Sequence, residues 1–138
     1  MIKNERQCRI TKAQAERFRE AIRNLQSSPP GEKIHPVLRR AEIEALQSQL
    51  ADLEAELLEF EEIRDGLRPI LNVESVDDLP RALIQARIAA RLSHEELAAR
   101  LHLKAQQIQR YEATEYQSAN LSRVAEVARA LSLRLGPK

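Results

Sequence analysis

The stretch SHEELAARLHLKAQQIQRYEAT, Ser93 to Thr114, decides how this chain is read. Ser93 followed by Glu96 forms a capping box, in which each side chain satisfies a backbone N–H of the other residue, so a helix begins at His94. Leu97, Ala98 and Leu101 form its buried stripe. The break, near Leu101 to Leu103, is short, and AQQIQRYE then starts a second helix. Ile108 and Tyr111 stand three apart and turn inward, which leaves Lys104, Ala105, Gln106, Gln107, Gln109 and Arg110 outward. So many amides on one face need an explanation, because glutamine rarely does acid–base chemistry and a packed core has little use for it.

Working outward, the whole chain reads as helical. It has 138 residues, enough for one domain or a small domain with an appendage. Aromatic residues make up 3% and Trp is absent, so the core must be aliphatic. With only three Gly and little strict alternation, the expected class is all-α. The start, MIKNERQ, is too polar for a signal peptide, and no apolar run approaches the ~20 residues that span a bilayer. Cys8 stands alone, which excludes an intrachain disulfide and suits a reducing, cytoplasmic setting.

Upstream, Thr11 and Gln14 form a T-x-x-Q box, predicting a first helix to about Leu25 with Ala15, Phe18, Ile22 and Leu25 on one face. SSPPGE (27–32) breaks it. A second helix is expected from Pro36 to about Arg64, stopped by Gly66. Its Ile43, Leu46, Leu50, Leu53, Leu57 and Phe60 alternate spacings of three and four, a coiled-coil seam. The expected organisation is a helical hairpin over 1–66, serving dimerisation or partner binding, a linker over 67–78, and a third unit over 79–138 opened by Pro80.

Charge is segregated. Residues 1–40 hold ten Lys/Arg against four Asp/Glu, residues 41–78 hold two against twelve, and residues 79–138 hold ten against five. The flanks of the second helix are acidic, including Glu54, Glu56 and Glu61, so a parallel homodimer would set like charges together. Arg17, Arg19 and Arg23 of the first helix are better partners, which favours an antiparallel hairpin. At ~1.5 Å per residue the two helices would span roughly 22 and 42 Å. Leu53, Leu57, Leu58, Phe60 and Ile63 would then extend past the first helix, to be covered by a second subunit, the C-terminal domain or a partner protein, with plain intrachain packing as the other reading.

Two helices joined by so short a turn, the second polar outside, fit a DNA-binding helix-turn-helix. Glutamine can pair in bidentate fashion with adenine and arginine with guanine, so the amides are expected to point at base edges in a major groove. Catalytic alternatives lack support. HEELA (94–98) ends in Ala98, so no H-E-x-x-H zinc pair forms, and His35, His94 and His102 share no ligand spacing. There is no Gly-rich phosphate loop, the carboxylates of 42–62 read as a solvated flank, and neither metal nor cofactor is implied.

Residues 79–135 resemble the Xre/Cro-type, lambda-repressor-like helix-turn-helix regulators. The matching residues are LIQAR (83–87), LS..ELA (92–98), Ile108, Tyr111 and Glu112, and the closing LSRVAEVARALSL (121–133). The resemblance implies a compact helical bundle that acts as a homodimer on a palindromic operator in double-stranded DNA. It implies base reading by Ala105, Gln106, Gln109 and Arg110, and phosphate contacts by Ser93, His94, Lys104 and Gln107. Arg87 and Glu112 match a structural ion pair. Size and layout resemble the antitoxin of a type II toxin–antitoxin pair, with a toxin as partner; a stand-alone regulator, or an adaptor working through the acidic hairpin, are the other readings. Where the family often has Gly, this chain has His102 and Thr114, and Lys104 cannot cap the second helix as Ser or Thr would.

Overall fold

The computed structural model describes residues 1–27 and 35–133. It is all-helical there, as the composition predicts, and divides after Phe60 into two compact units, Met1–Phe60 and Glu61–Lys138.

The first unit holds α1, Glu5–Ser27, and most of α2, Pro36–Arg64. The expected break at 27–32 lies almost wholly outside the described residues. The start of α1 corrects the Thr11 reading. Asn4 accepts the Gln7 amide through its side chain at 2.7 Å, and the Gln7 side chain accepts the Lys3 amide at 2.8 Å. Those two bonds start the helix six residues before Thr11, which lies buried in its middle. Cys8, Thr11, Ala15 and Ile22 are the buried residues of α1, so it carries a three-four seam of its own.

Contacts set α1 and α2 antiparallel. The Arg39 guanidinium donates to the Leu25 carbonyl, Arg19 meets Glu54 at 3.4 Å, and the terminal amino group lies 3.8 Å from Glu56. At 23 residues, α1 is about 34 Å long. The premise that it leaves the end of α2 bare therefore fails. Leu57 and Phe60 are only 8% and 4% exposed, Leu53 is half-buried, and Leu58 alone of the five stays open at 54%. The fifth residue, Ile63, is 0% exposed and belongs to the second unit.

The second unit therefore begins within the last turn of α2. Gly66 ends that helix in the left-handed region, at φ +74°, as expected. Residues 67–78 are not a free tether. The Leu71 amide donates to Gln85 Oε1 at 2.7 Å, and a 3-10 turn, Val76–Asp78, leads into α3, Leu79–Ala89. Then come α4, His94–Arg100, α5, Ala105–Ala113, and α6, Leu121–Ala130. Ala82, Leu83, Ile84, Leu97, Ala98, Ile108, Tyr111 and Val127 make the core.

These four helices stop in one way. Arg91, His102, Glu115 and Ser132 all take positive φ, between 52° and 58°. The next amide then reaches back five residues: Leu92 to Arg87, Leu103 to Ala98, Tyr116 to Tyr111, Leu133 to Ala128. Such a stop usually uses glycine, and a hydrophobic residue following it closes the motif. Here each stop is followed by Leu or Tyr, so the anchoring side chain holds a left-handed residue that is not glycine.

Candidate nucleic-acid interface

The site is built on α4, the turn 101–104 and α5. Ser93 caps α4 as expected: its hydroxyl accepts the Glu96 amide at 3.1 Å, and the Glu96 carboxylate accepts the Ser93 amide at 3.1 Å. Those bonds hold the Glu96 carboxyl below its ordinary range. The turn places His102 at φ +56°, the conformation for which glycine is common. Lys104 occupies the N-cap of α5 with no side-chain cap bond. At the other end of α5 the left-handed positions are Glu115 and Tyr116, not Thr114, whose φ is −98°.

Ile108 and Tyr111 are buried, and this orients the rest of α5. Gln106, Gln109 and Arg110 are exposed, Lys104 is exposed at the turn, and Ala105 and Gln107 are half-buried. Lys104, Gln106, Gln107, Gln109 and Arg110 line one open groove of about 880 Å³. Arg123, in the first turn of α6, lines it too, with its guanidinium 3.0 Å from Glu126. Arg123 escaped the sequence reading because LSRVAEVARALSL registers as an apolar closing helix. The signal was a basic residue beside an N-cap, but its place on the groove depends on how α6 packs.

Arg87 and Glu112 meet as the resemblance implies. The guanidinium forks onto the carboxylate, Nε to Oε2 at 2.6 Å and Nη2 to Oε1 at 2.9 Å, while Nη1 donates to the Leu92 carbonyl at 2.9 Å. The two side chains are 2% and 1% exposed. His94 requires a correction. It was expected to face phosphate, but its side chain is 7% exposed and its Nε2 lies 2.9 Å from Glu112 Oε1. Burial pushes the Glu112 carboxyl up, yet hydrogen bonds from His94 and Arg87 outweigh it and hold the group below its ordinary value. An ionised carboxylate only accepts, so Nε2 of His94 carries the proton.

A capped first helix, a tight left-handed turn and a second helix with a polar outer face define a helix-turn-helix. Residues 83–136 match the family model described as helix-turn-helix. No curated protein and no solved structure matches the chain. DNA-binding transcription regulation is the function class that this match supports. Among the described residues, no helix is long and apolar enough to cross a membrane.

Proposed function

We propose that the chain is a sequence-specific transcriptional repressor that lays α5 in the major groove of its operator. Gln106 and Arg110 read base edges, Gln109 extends the reading surface, and Ala105 leaves room for a thymine methyl. Lys104, Ser93 and Gln107 hold flanking phosphates, which sets register without reading sequence. The observation that carries this reading is the exposed run of Gln106, Gln109 and Arg110 along one groove. The chain binds a palindromic operator as a homodimer. It also acts as an antitoxin, autoregulating its operon and engaging a toxin through the first unit, where Leu58 is open and acidic side chains dominate α2.

A mobility-shift assay on the chain's own promoter tests the DNA reading. Retardation should weaken steeply between low and physiological salt, because each neutralised phosphate releases counterions. Flat, weak, sequence-indifferent binding would refute it and leave the first unit as an adaptor. Co-purification with the product of the adjacent gene, and relief of that product's toxicity, tests the antitoxin role. A neighbour that neither binds nor is toxic removes that role and leaves a stand-alone regulator.

A further inference from the structure

Glu112 does not need His94 to be satisfied. Arg87 alone supplies a complete fork, one N–H to each carboxylate oxygen, and both side chains are buried. The bond from His94 is a third donor, and it comes from a different helix. Its placement is informative. The turn 101–104 joins the end of α4 to the start of α5. His94 is the first residue of α4 and Glu112 lies in the last turn of α5. The His94–Glu112 bond therefore closes a ring. The two helices are joined covalently at one pair of ends and by a buried, charge-assisted hydrogen bond at the other.

We infer that His94 is a positioning residue for base reading: it fixes the angle between α4 and α5 and so the direction in which Gln106 and Arg110 point. This rests on the DNA-reading function proposed above. Ile108, Tyr111 and the Arg87 fork hold α5 to the core and to α3. The His94 bond adds a direct restraint between its far end and α4, so an outward side chain one helical turn along moves less against α4. A hydrogen bond to a buried carboxylate is among the stronger restraints available, since a low-dielectric site strengthens a bond to a charged partner. Base contacts need that restraint, because a bidentate amide or guanidinium pair tolerates little misalignment. Phosphate contacts need it less, because their attraction is mainly Coulombic and acts over a longer range. Loss of His94 should thus lower discrimination between sequences more than it lowers general attraction to DNA.

The test compares His94→Gln, which keeps an N–H donor of similar reach, with His94→Leu, which keeps volume and loses the donor. Each full-length variant is titrated with operator and with a scrambled duplex at the same salt, and its fold is followed by circular dichroism. His94→Leu should bind operator about tenfold more weakly while its affinity for scrambled duplex stays within about twofold. His94→Gln should recover most of the loss. Independently of any DNA, nitrogen NMR of wild type should show a proton on Nε2 with slow exchange of Hε2, and that signal keeps the inference open to refutation if His94→Leu does not fold. A ring with no proton on Nε2, or one that exchanges freely, would overturn the inference. So would equal weakening on both duplexes, or a His94→Gln variant as impaired as His94→Leu. If wild type itself does not distinguish operator from scrambled duplex, the DNA-reading function fails first, and the inference with it.

Discussion

Removing Glu112 should be among the most damaging single changes to the second unit. In Glu112→Ala the Arg87 guanidinium stays buried at 2% exposure and keeps its bond to the Leu92 carbonyl but loses its carboxylate, and His94 loses the Glu112 acceptor. Breaking a buried pair by deleting one partner costs ~3–5 kcal/mol, because the surviving charge is left uncompensated. For a unit of this size each kcal/mol lowers the melting temperature by about 4–8 °C, so a fall of roughly 12–40 °C is expected. A small domain has only about 5–15 kcal/mol in hand, so the variant should be partly unfolded at physiological temperature. Thermal denaturation followed by circular dichroism measures this, within a cycle of Arg87→Met, Glu112→Leu and the double variant. The double variant leaves no orphaned charge and should lose less than the sum of the two, by ~0.5–3 kcal/mol. Strict additivity would show that the two side chains are not coupled and would refute the reasoning. An acid titration gives a second check. The Glu112 carboxyl is held below its ordinary value in the folded chain, so its contribution is fully present above the unfolded value. It is lost as pH falls through the lower, folded value. Glu112→Gln should flatten that acid limb of the stability profile and leave its neutral side unchanged in shape.

Other outcomes follow from the geometry. Gln106→Ala and Arg110→Ala should each cost ~1–3 kcal/mol on the operator without lowering the melting temperature, whereas Lys104→Ala should weaken all duplexes and reduce the salt slope by about one; unchanged operator affinity for Arg110→Ala would be the contrary result in the shift assay. A fragment from Glu61 should fold more stably than one from Val76, since only the longer one keeps the fully buried Ile63 and the Leu71–Gln85 bond, with burial of Ile63 contributing ~1.5–3 kcal/mol; equal urea midpoints would count against this. Tyr116→Phe should be neutral or stabilising by up to ~1 kcal/mol, because the buried hydroxyl has no hydrogen-bond partner among the described residues; a loss above that in thermal melts would reveal one. His102→Gly should stabilise by roughly 0.5–1 kcal/mol, relieving the left-handed residue, and a lower melting point would show that the imidazole contributes more than its backbone costs.

The sequence by itself determined the local decisions. The Ser93–Glu96 box starts α4, Gly66 stops α2, Ile108 and Tyr111 fix which face of α5 turns out, and Arg87 and Glu112 were legible as a pair through resemblance. These are short-range signals, carried by side chains within a turn or two of the groups they satisfy. The start of α1 was legible as well, in Asn4 and Gln7, but Thr11 and Gln14 offered a competing box with identical spacing. Only burial decides between them, since Thr11 lies on the face that α1 turns inward. The same holds for His94. At the first position of a helix an imidazole can face solvent or phosphate, and nothing nearby in sequence turns it inward. Its partner lies 18 residues away, at the far end of the next helix, and comes within reach only because α3, α4 and α5 pack around Glu112. Tertiary packing alone could place Arg123 on the groove, hide Leu57, Phe60 and Ile63, and hold five described non-glycine residues in the left-handed region, because each depends on distant chain excluding water from a particular side chain.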